Sequence, residues 1–246
     1  MIRALAGAIG FLTVIPVPRR LLEPDLPPPG SMLWWWTPAG ALLGALAALV
    51  ACLALFWLRT TPLLAAVLVV VALAVLSGGL HLDGLMDTCD GLGSRAPREQ
   101  ALHIMKDPHV GAFGVIGLSC LLLVKMSALS SIAPASLTAA VVLAPIAGRA
   151  TQVVALWAFG YARAEEGMGG AFFRDATPGH AALAVIVAIG AAASLGAWMP
   201  ARIAAALLVA FLCALCINSR LGGQTGDTIG ALSELAECAV LLACVG

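Results

Sequence analysis

Apolar residues run in long blocks along most of this chain, and polar residues gather between the blocks. Six blocks, residues 34–58, 62–80, 110–132, 135–159, 181–199 and 201–217, are each near the ~20 residues that cross a bilayer as a helix. A seventh, about 227–245, is apolar except for Glu234 and Glu237. An earlier block, 2–16, is short for a full span and ends at Pro16-Val17-Pro18-Arg19-Arg20, which predicts an interfacial or re-entrant helix. No small-residue cleavage site marks that block as a signal peptide. The proline-rich piece 24–29 is a linker, and Trp34, Trp35 and Trp36 stand where an aromatic belt meets lipid headgroups. Pro62, Pro134 and Pro200 predict tight turns, so spans one and two, three and four, and five and six read as helical hairpins; Pro145 and Gly148 predict a kink in the fourth. The fold class expected is all-α: a polytopic membrane protein of about seven transmembrane helices plus the N-terminal helix, with residues 1–246 a single integral membrane domain. No internal repeat is evident.

Composition fits this reading. Of 246 residues, 61% are hydrophobic and 11% charged, and the mean hydropathy is +1.02, far from an ordinary soluble domain. Formal net charge is zero, so no bulk basic field points to nucleic acid. The seven cysteines are scattered, mostly within apolar runs, and suggest no disulfide framework; Cys213 and Cys216 read as small packing residues.

Charge placement sets the topology. All thirteen acidic residues lie in alternate extramembrane segments or at the start of the last span. Arg3, Arg19, Arg20, Arg95, Arg98, Lys106, Arg163, Arg174 and Arg220 lie on that same side. The opposite side has only Arg59 and Arg202, while Lys125 and Arg149 fall inside spans. The positive-inside rule then places the N-terminus and the long loops in the cytoplasm, with the protein in the cytoplasmic (inner) membrane and its polar chemistry facing inward.

Within that polar face, Asp83, Asp87 and Asp90 fall within about 60° of one helix face. A row of carboxylates repels itself and raises its own pKa values, and a divalent cation such as Mg2+ removes that cost. The plainer alternative is a solvated loop whose acids pair with Arg95, Arg98 and Lys106. Asp107 adds a fourth carboxylate, with His81 and His109 flanking the acidic stretch as hydrogen-bonding residues. The order Asp87-x-x-Asp90-Gly91-x-x-Ser94-Arg95, followed by Asp107, resembles the start of the CDP-alcohol phosphotransferase pattern, in which aspartates hold metal against a nucleotide diphosphate. Position 111, where that pattern carries another aspartate, is a glycine.

A second motif, Gly222-Gly223-Gln224-Thr225-Gly226-Asp227, opens the last span. Gly-rich turns at helix starts expose N–H groups and can cradle phosphate, although the same residues also make ordinary turns. The acids Asp227, Glu234 and Glu237 of the last span call for buried cationic partners, and Arg149 and Lys125 are the candidates. A third stretch, 161–169, reads by itself as a flexible charged loop. Two other classes stay open on the residues alone: a phosphotransferase that builds phospholipid headgroups, and a transporter using Asp227, Glu234 and Lys125 as an ion path.

Four segments, Phe11-Leu12-Thr13-x-Ile15-Pro16-Val17-Pro18, Gly78-Gly79-Leu80-His81-Leu82-Asp83-Gly84-x-x-Asp87-Thr88-x-Asp90-Gly91, Tyr161-Ala162-Arg163 and Gly222-Gly223-Gln224-Thr225-Gly226-Asp227, occur in order and together resemble the cobalamin synthase family. The likeness covers nearly the whole chain. It implies a membrane-bound adenosylcobinamide-GDP ribazoletransferase, which joins adenosylcobinamide-GDP to α-ribazole or its 5′-phosphate and releases GMP with the help of Mg2+. Applied to these positions, it implies Asp83, Asp87 and Asp90 as metal ligands, with Asp87, Arg95 and Asp107 in catalysis; the base would be Asp107 or His109, with Asp107 preferred because it matches the position of a phosphotransferase acid. Lys106, Arg163, Gly222, Gly223, Gln224, Thr225 and Asp227 would bind phosphate, and the ribazole 5′-hydroxyl would attack the cobinamide-linked phosphorus. The partners implied are these two substrates and the lipid bilayer, with a homo-oligomer or an assembly with other enzymes of the pathway as further options.

Overall fold

A computed structural model of the chain describes residues 1–163 and 168–245. Its helices, in order, are α1 (Ile2–Leu12), α2 (Pro29–Leu33), α3 (Trp36–Cys52), α4 (Pro62–Leu76), α5 (Leu80–Gly93), α6 (Arg98–Ile104), α7 (Ala112–Ser131), α8 (Pro134–Ala158), α9 (Met168–Asp175), α10 (Pro178–Leu195), α11 (Met199–Leu221) and α12 (Gly226–Ala243). A π-turn at Leu53–Trp57 continues α3. Among the described residues there is no strand, only an isolated parallel bridge between Tyr161 and Gln224. The expected all-α membrane architecture is the one observed.

Five helical segments are long and apolar enough to cross a membrane: Trp36–Trp57, Ala112–Ser131, Pro134–Ala158, Pro178–Leu195 and Met199–Leu221. The expected second span is shorter than its sequence suggests. α4 stops at Leu76, and α5 leaves it at 91°. Gly78 and Gly79 take left-handed φ values of 62° and 72°, a conformation glycine adopts without Cβ strain. With α4 along the membrane normal, α5 runs in the membrane plane, which carries the aspartate row sideways across the end of the bundle. Among the described residues, five helices, or six if α4 and α5 together form one broken span, meet the length and composition needed to cross a membrane, so the expected count of seven is not confirmed. The difference also involves α12, which carries three acids and packs inside the bundle against α5, α7, α8 and α11.

α8 is the mast around which the others stand. Its apolar window is 89% buried, against 28–44% for the other four spans. Small residues let its neighbours approach closely, as is usual where helices associate in lipid. Gly40 of α3 faces the Pro145 carbonyl of α8, and a Cβ there would lie 2.5 Å from that oxygen. Pro145 itself sits within a helix that continues from Pro134 to Ala158. We predict that Gly40→Ala pushes α3 away from α8 at a cost of about 1–3 kcal/mol, read as a fall in the thermal midpoint in detergent. An unchanged midpoint would show that the contact is not tight.

Two further expectations change. α3 and α4 pack as a hairpin, as do α10 and α11, but α7 packs along α4 and α5 and has little contact with α8. The three tryptophans also do not form one belt. Trp34 is 42% exposed and lies against the His180 ring, with centroids 4.1 Å apart. Trp36 is 3% exposed and turns inward, its ring 5.8 Å from Phe11 and 5.1 Å from Phe172.

Candidate active site

α5 buries one side and leaves two of its three acids, Asp83 and Asp87, at the edge. His81, Gly84, Leu85, Thr88 and Gly91 face the bundle, Asp83 is exposed and Asp87 is half-buried. Gly84 rests directly on the first turn of α12, where a Cβ would lie 2.6 Å from the Asp227 carbonyl oxygen. That close approach brings Asp227 up to the aspartate row. Burial raises the Asp87 carboxyl to about pKa 6, with Asp227 and Asp83 adding to the rise and Arg163 opposing it.

The third aspartate has another task. The Asp90 carboxylate accepts the N–H of Gly111 and of Gly114, both at 2.8 Å, and so caps the start of α7, where a negative charge is favoured. This explains the glycine at position 111, because a Cβ there would run into the Asp90 carboxylate. An aspartate at 111, as in the phosphotransferase pattern, does not fit beside Asp90 in this arrangement.

The Gly-rich turn also works differently from an open phosphate cradle. Gly222 N–H donates to Asn218 O, Gln224 N–H to Gly160 O and Thr225 N–H to Thr228 Oγ1, each at 2.8 Å. In return, Ala162 N–H donates to Gln224 O at 2.8 Å. Gly223 is needed here because a Cβ would meet Ala162 backbone at 2.8 Å. The turn is thus a clasp that holds the 160–163 segment against the start of α12. Its product is the placement of Arg163, whose Nη2 donates to Asp227 Oδ2 at 2.6 Å, while Thr225 Oγ1 donates to the same oxygen at 3.2 Å. Residues 164–167 of the charged loop lie outside the described residues.

Sequence reading missed Arg98, which closes the clasp. Its Nε donates to Leu221 O at 2.6 Å and its Nη2 to Ala162 O at 2.8 Å. An arginine opening a short helix offers no local sign of this, since its partners are 64 and 123 residues away. The remaining expected residues lie further out. Arg95 is exposed between α5 and α6, and Lys106 is exposed between α6 and α7. Asp107 faces His109, with Oδ1 2.6 Å from Nδ1. The His109 backbone N–H, followed by its ring, holds the Asp107 carboxyl below its ordinary pKa, which makes it a weaker base than a free carboxylate.

The candidate site is thus the cluster of Asp83 and Asp87 from α5, Asp227 from α12 and Arg163 from the clasped segment, all at one end of the bundle. A match to the cobalamin-5-phosphate synthase family model covers residues 4–245. The chain belongs to the cobalamin-5-phosphate synthase family. It is 38% identical over 242 residues to a protein of Desulforamulus reducens named adenosylcobinamide-GDP ribazoletransferase, covering 98% of this chain and 95% of that one. A protein of the same name from Citrobacter koseri is 38% identical, with 96% of each chain covered. One from Klebsiella pneumoniae is 35% identical, with 99% of each covered. No solved structure matches the chain. In this cobalamin-5-phosphate synthase family member the second and last of the four sequence signatures meet in space, with Arg163 of the third between them and Phe11 of the first lining the adjoining cavity.

The same geometry bears on a cation. Among the described residues, no three His, Cys, Asp or Glu side chains converge closely enough to hold a metal by themselves. Asp83 and Asp87, one helical turn apart, have no paired cation among the described residues, and Asp87 is pushed toward protonation by its acidic neighbours as well as by burial. Mg2+ commonly takes one or two carboxylates and completes its shell with substrate phosphates and water. Asp83 and Asp87 fit that form of binding, in which the cation is held between protein and substrate; Asp90 does not, being occupied by two backbone N–H groups.

Proposed function

We propose that this chain is an adenosylcobinamide-GDP ribazoletransferase of the cytoplasmic membrane, with residues 1–246 acting as one membrane domain. The observation that carries the reading is the meeting of Asp83 and Asp87 with the Arg163–Asp227 pair (2.6 Å) at one end of the bundle. Such a site suits a diphosphate: a guanidinium to grip phosphate oxygens and two carboxylates, without an ion-pair partner among the described residues, to share a cation with them. When bound there, Mg2+ would neutralise the diphosphate and stabilise charge on the departing GMP. Arg163, held by Asp227, would orient the donor's phosphate oxygens, and Arg98 would keep the loop that carries Arg163 in place. The bond broken is the one between the cobinamide-linked phosphorus and the bridging oxygen, which leaves with GMP. The bond formed joins the cobinamide-linked phosphorus to a ribose oxygen of ribazole.

The attacking hydroxyl needs revision on chemical grounds. Ribazole 5′-phosphate has no free 5′-hydroxyl, so one mechanism that serves both acceptors uses a secondary ribose hydroxyl. The 5′-hydroxyl expected above fits the unphosphorylated acceptor alone. The positive-inside distribution of charge supports placing this end of the bundle in the cytoplasm, where nucleotide substrates are found.

The direct test is GMP release by the purified protein in lipid nanodiscs given adenosylcobinamide-GDP, α-ribazole 5′-phosphate and Mg2+. We expect stoichiometric GMP and cobalamin phosphate, with no release when the acceptor is omitted. Release of CMP from a CDP-alcohol, with no turnover of the cobinamide substrate, would favour the headgroup phosphotransferase reading instead.

A further inference from the structure

Directly beside the carboxylates lies a cavity of about 200 Å³ that the proposed chemistry does not use. Asp83 and Asp227 stand among its lining residues, so it adjoins the reacting end. Its walls include Phe11, Trp36 and Phe172, packed with ring centroids 5.0–5.8 Å apart. Two polar side chains in this lining, His81 and Gln152, are each 2% exposed. Both ring nitrogens of His81, Oε1 of Gln152 and the indole Nε1 of Trp36 are buried without a hydrogen-bond partner. Buried polar atoms are costly to leave unmade, and several around one cavity call for a ligand that supplies their partners.

Aromatic walls with a few unpartnered donors and acceptors are the features that bind a flat nitrogen heterocycle: the rings stack, and the edge nitrogens are read by hydrogen bonds. The volume suits one bicyclic ring system and excludes a corrin. We infer that this cavity receives the planar bicyclic base of a nucleoside substrate, placing its sugar or phosphate beside Asp83 and Asp227. The inference rests on the transferase reading above, which offers two sources of such a base: the benzimidazole of the ribazole acceptor and the guanine of the nucleotide donor. Gln152 is the only glutamine within the spans, and the cavity gives a reason for an amide at that position.

The test is direct binding of α-ribazole 5′-phosphate, GMP and ribose 5-phosphate to the full-length protein in nanodiscs with Mg2+. Gln152→Met keeps the size of the side chain but removes the unpartnered oxygen, and Phe172→Leu removes a stacking face. Each is expected to weaken one of the two base-bearing ligands by about tenfold, the equivalent of one hydrogen bond or stacking contact, and to leave the other unchanged; the ligand affected identifies the source. The thermal midpoint of Gln152→Met should hold or rise, because a buried unpartnered atom has gone. Equal binding of both ligands by wild type and variants would overturn the inference and leave the transferase reading intact. So would ribose 5-phosphate binding the wild type as tightly as either base-bearing ligand, an arm that needs no variant. If the wild type bound neither base-bearing ligand, the transferase reading would fail first and the inference with it.

Discussion

Replacing Asp87 by Asn is expected to lower turnover by about 10²-fold or more, a typical loss when a preorganised charge at a phosphoryl site is removed, without weakening the fold. The two halves of this expectation come from the same geometry. Asp87 sits half-buried near Asp83 and Asp227, and its raised pKa means that its ionised form is destabilising in the folded protein. The sign follows from the ordering of the two pKa values. Above about 6 the native carboxylate carries the full cost, and as pH falls from there towards the unfolded value near 4 the native state takes up a proton and the cost is relieved. Asn removes the charge outright, so at pH 7 the thermal midpoint should stay level or rise. The amide oxygen remains a weak ligand, and raised Mg2+ should recover part of the rate. A surface ion-pair role predicts the opposite on both counts: a loss of stability below about 1 kcal/mol and nearly intact turnover. The measurement is GMP release against Mg2+ concentration for wild type, Asp83→Asn, Asp87→Asn and Asp90→Asn, with thermal midpoints in the same detergent. Asp90→Asn should differ from the others by losing stability, since its carboxylate caps α7. Wild-type rates and Mg2+ dependence in Asp83→Asn and Asp87→Asn would show that the pair has no part in the chemistry.

The second large effect is expected inside the bundle. Lys125 of α7 donates to Glu234 at 2.5 Å and Glu237 at 2.8 Å, both on α12, and Arg149 of α8 donates to Glu237 at 2.6 Å. Arg149 also donates to Ser233 Oγ at 3.2 Å. Two cations and two anions, all nearly fully buried, thus cancel among three helices. Lys125→Met should cost about 3–5 kcal/mol, because breaking a buried ion pair strands its partner's charge; Glu234 has no other cation in contact among the described residues. Lys125→Met combined with Glu234→Gln should recover most of the loss, since the stranded charge goes as well, and the couplings should be strongly non-additive. The combination Arg149→Met with Glu234→Gln lacks a direct contact but also leaves a neutral pair, Lys125 with Glu237, so its recovery measures charge balance in the cluster rather than pairing. Unfolding midpoints in mixed micelles for the three single and two double variants decide the matter. Additive losses in the Lys125–Glu234 cycle would show that these two residues do not pair.

The sequence by itself determined which stretches are helices in lipid, on which side the charges gather and which residues of α5 share a face. All three depend on spacing along the chain, where apolar run length and the 3.6-residue period are local quantities. It also narrowed the partners of Glu234 and Glu237 to Lys125 and Arg149, because few cations lie inside spans. It did not determine which of them meets which carboxylate, nor that α7 leaves its neighbour α8 for α4 and α5. Helices that are apolar all round carry little directional signal, so their packing partners are set by the shapes of small and large side chains across the bundle.

The same limit governs the site. Asp83, Asp87 and Asp90 look equivalent in the sequence, but only the packing of α5 against the start of α7 turns Asp90 into a cap. Gly84 and the 222–225 clasp then bring Asp227 and Arg163 from more than 60 residues apart to one place. The cavity lined by Phe11, Trp36, His81, Gln152, Phe172 and Asp227 draws on six helices well separated in the chain. A tryptophan triplet reads as an interfacial belt until the tertiary structure turns Trp36 inward onto Phe11 and Phe172. Local pattern therefore fixed the residues available for chemistry, while long-range packing decided which were free to act, because a polar group's availability depends on partners that the chain brings to it from far away.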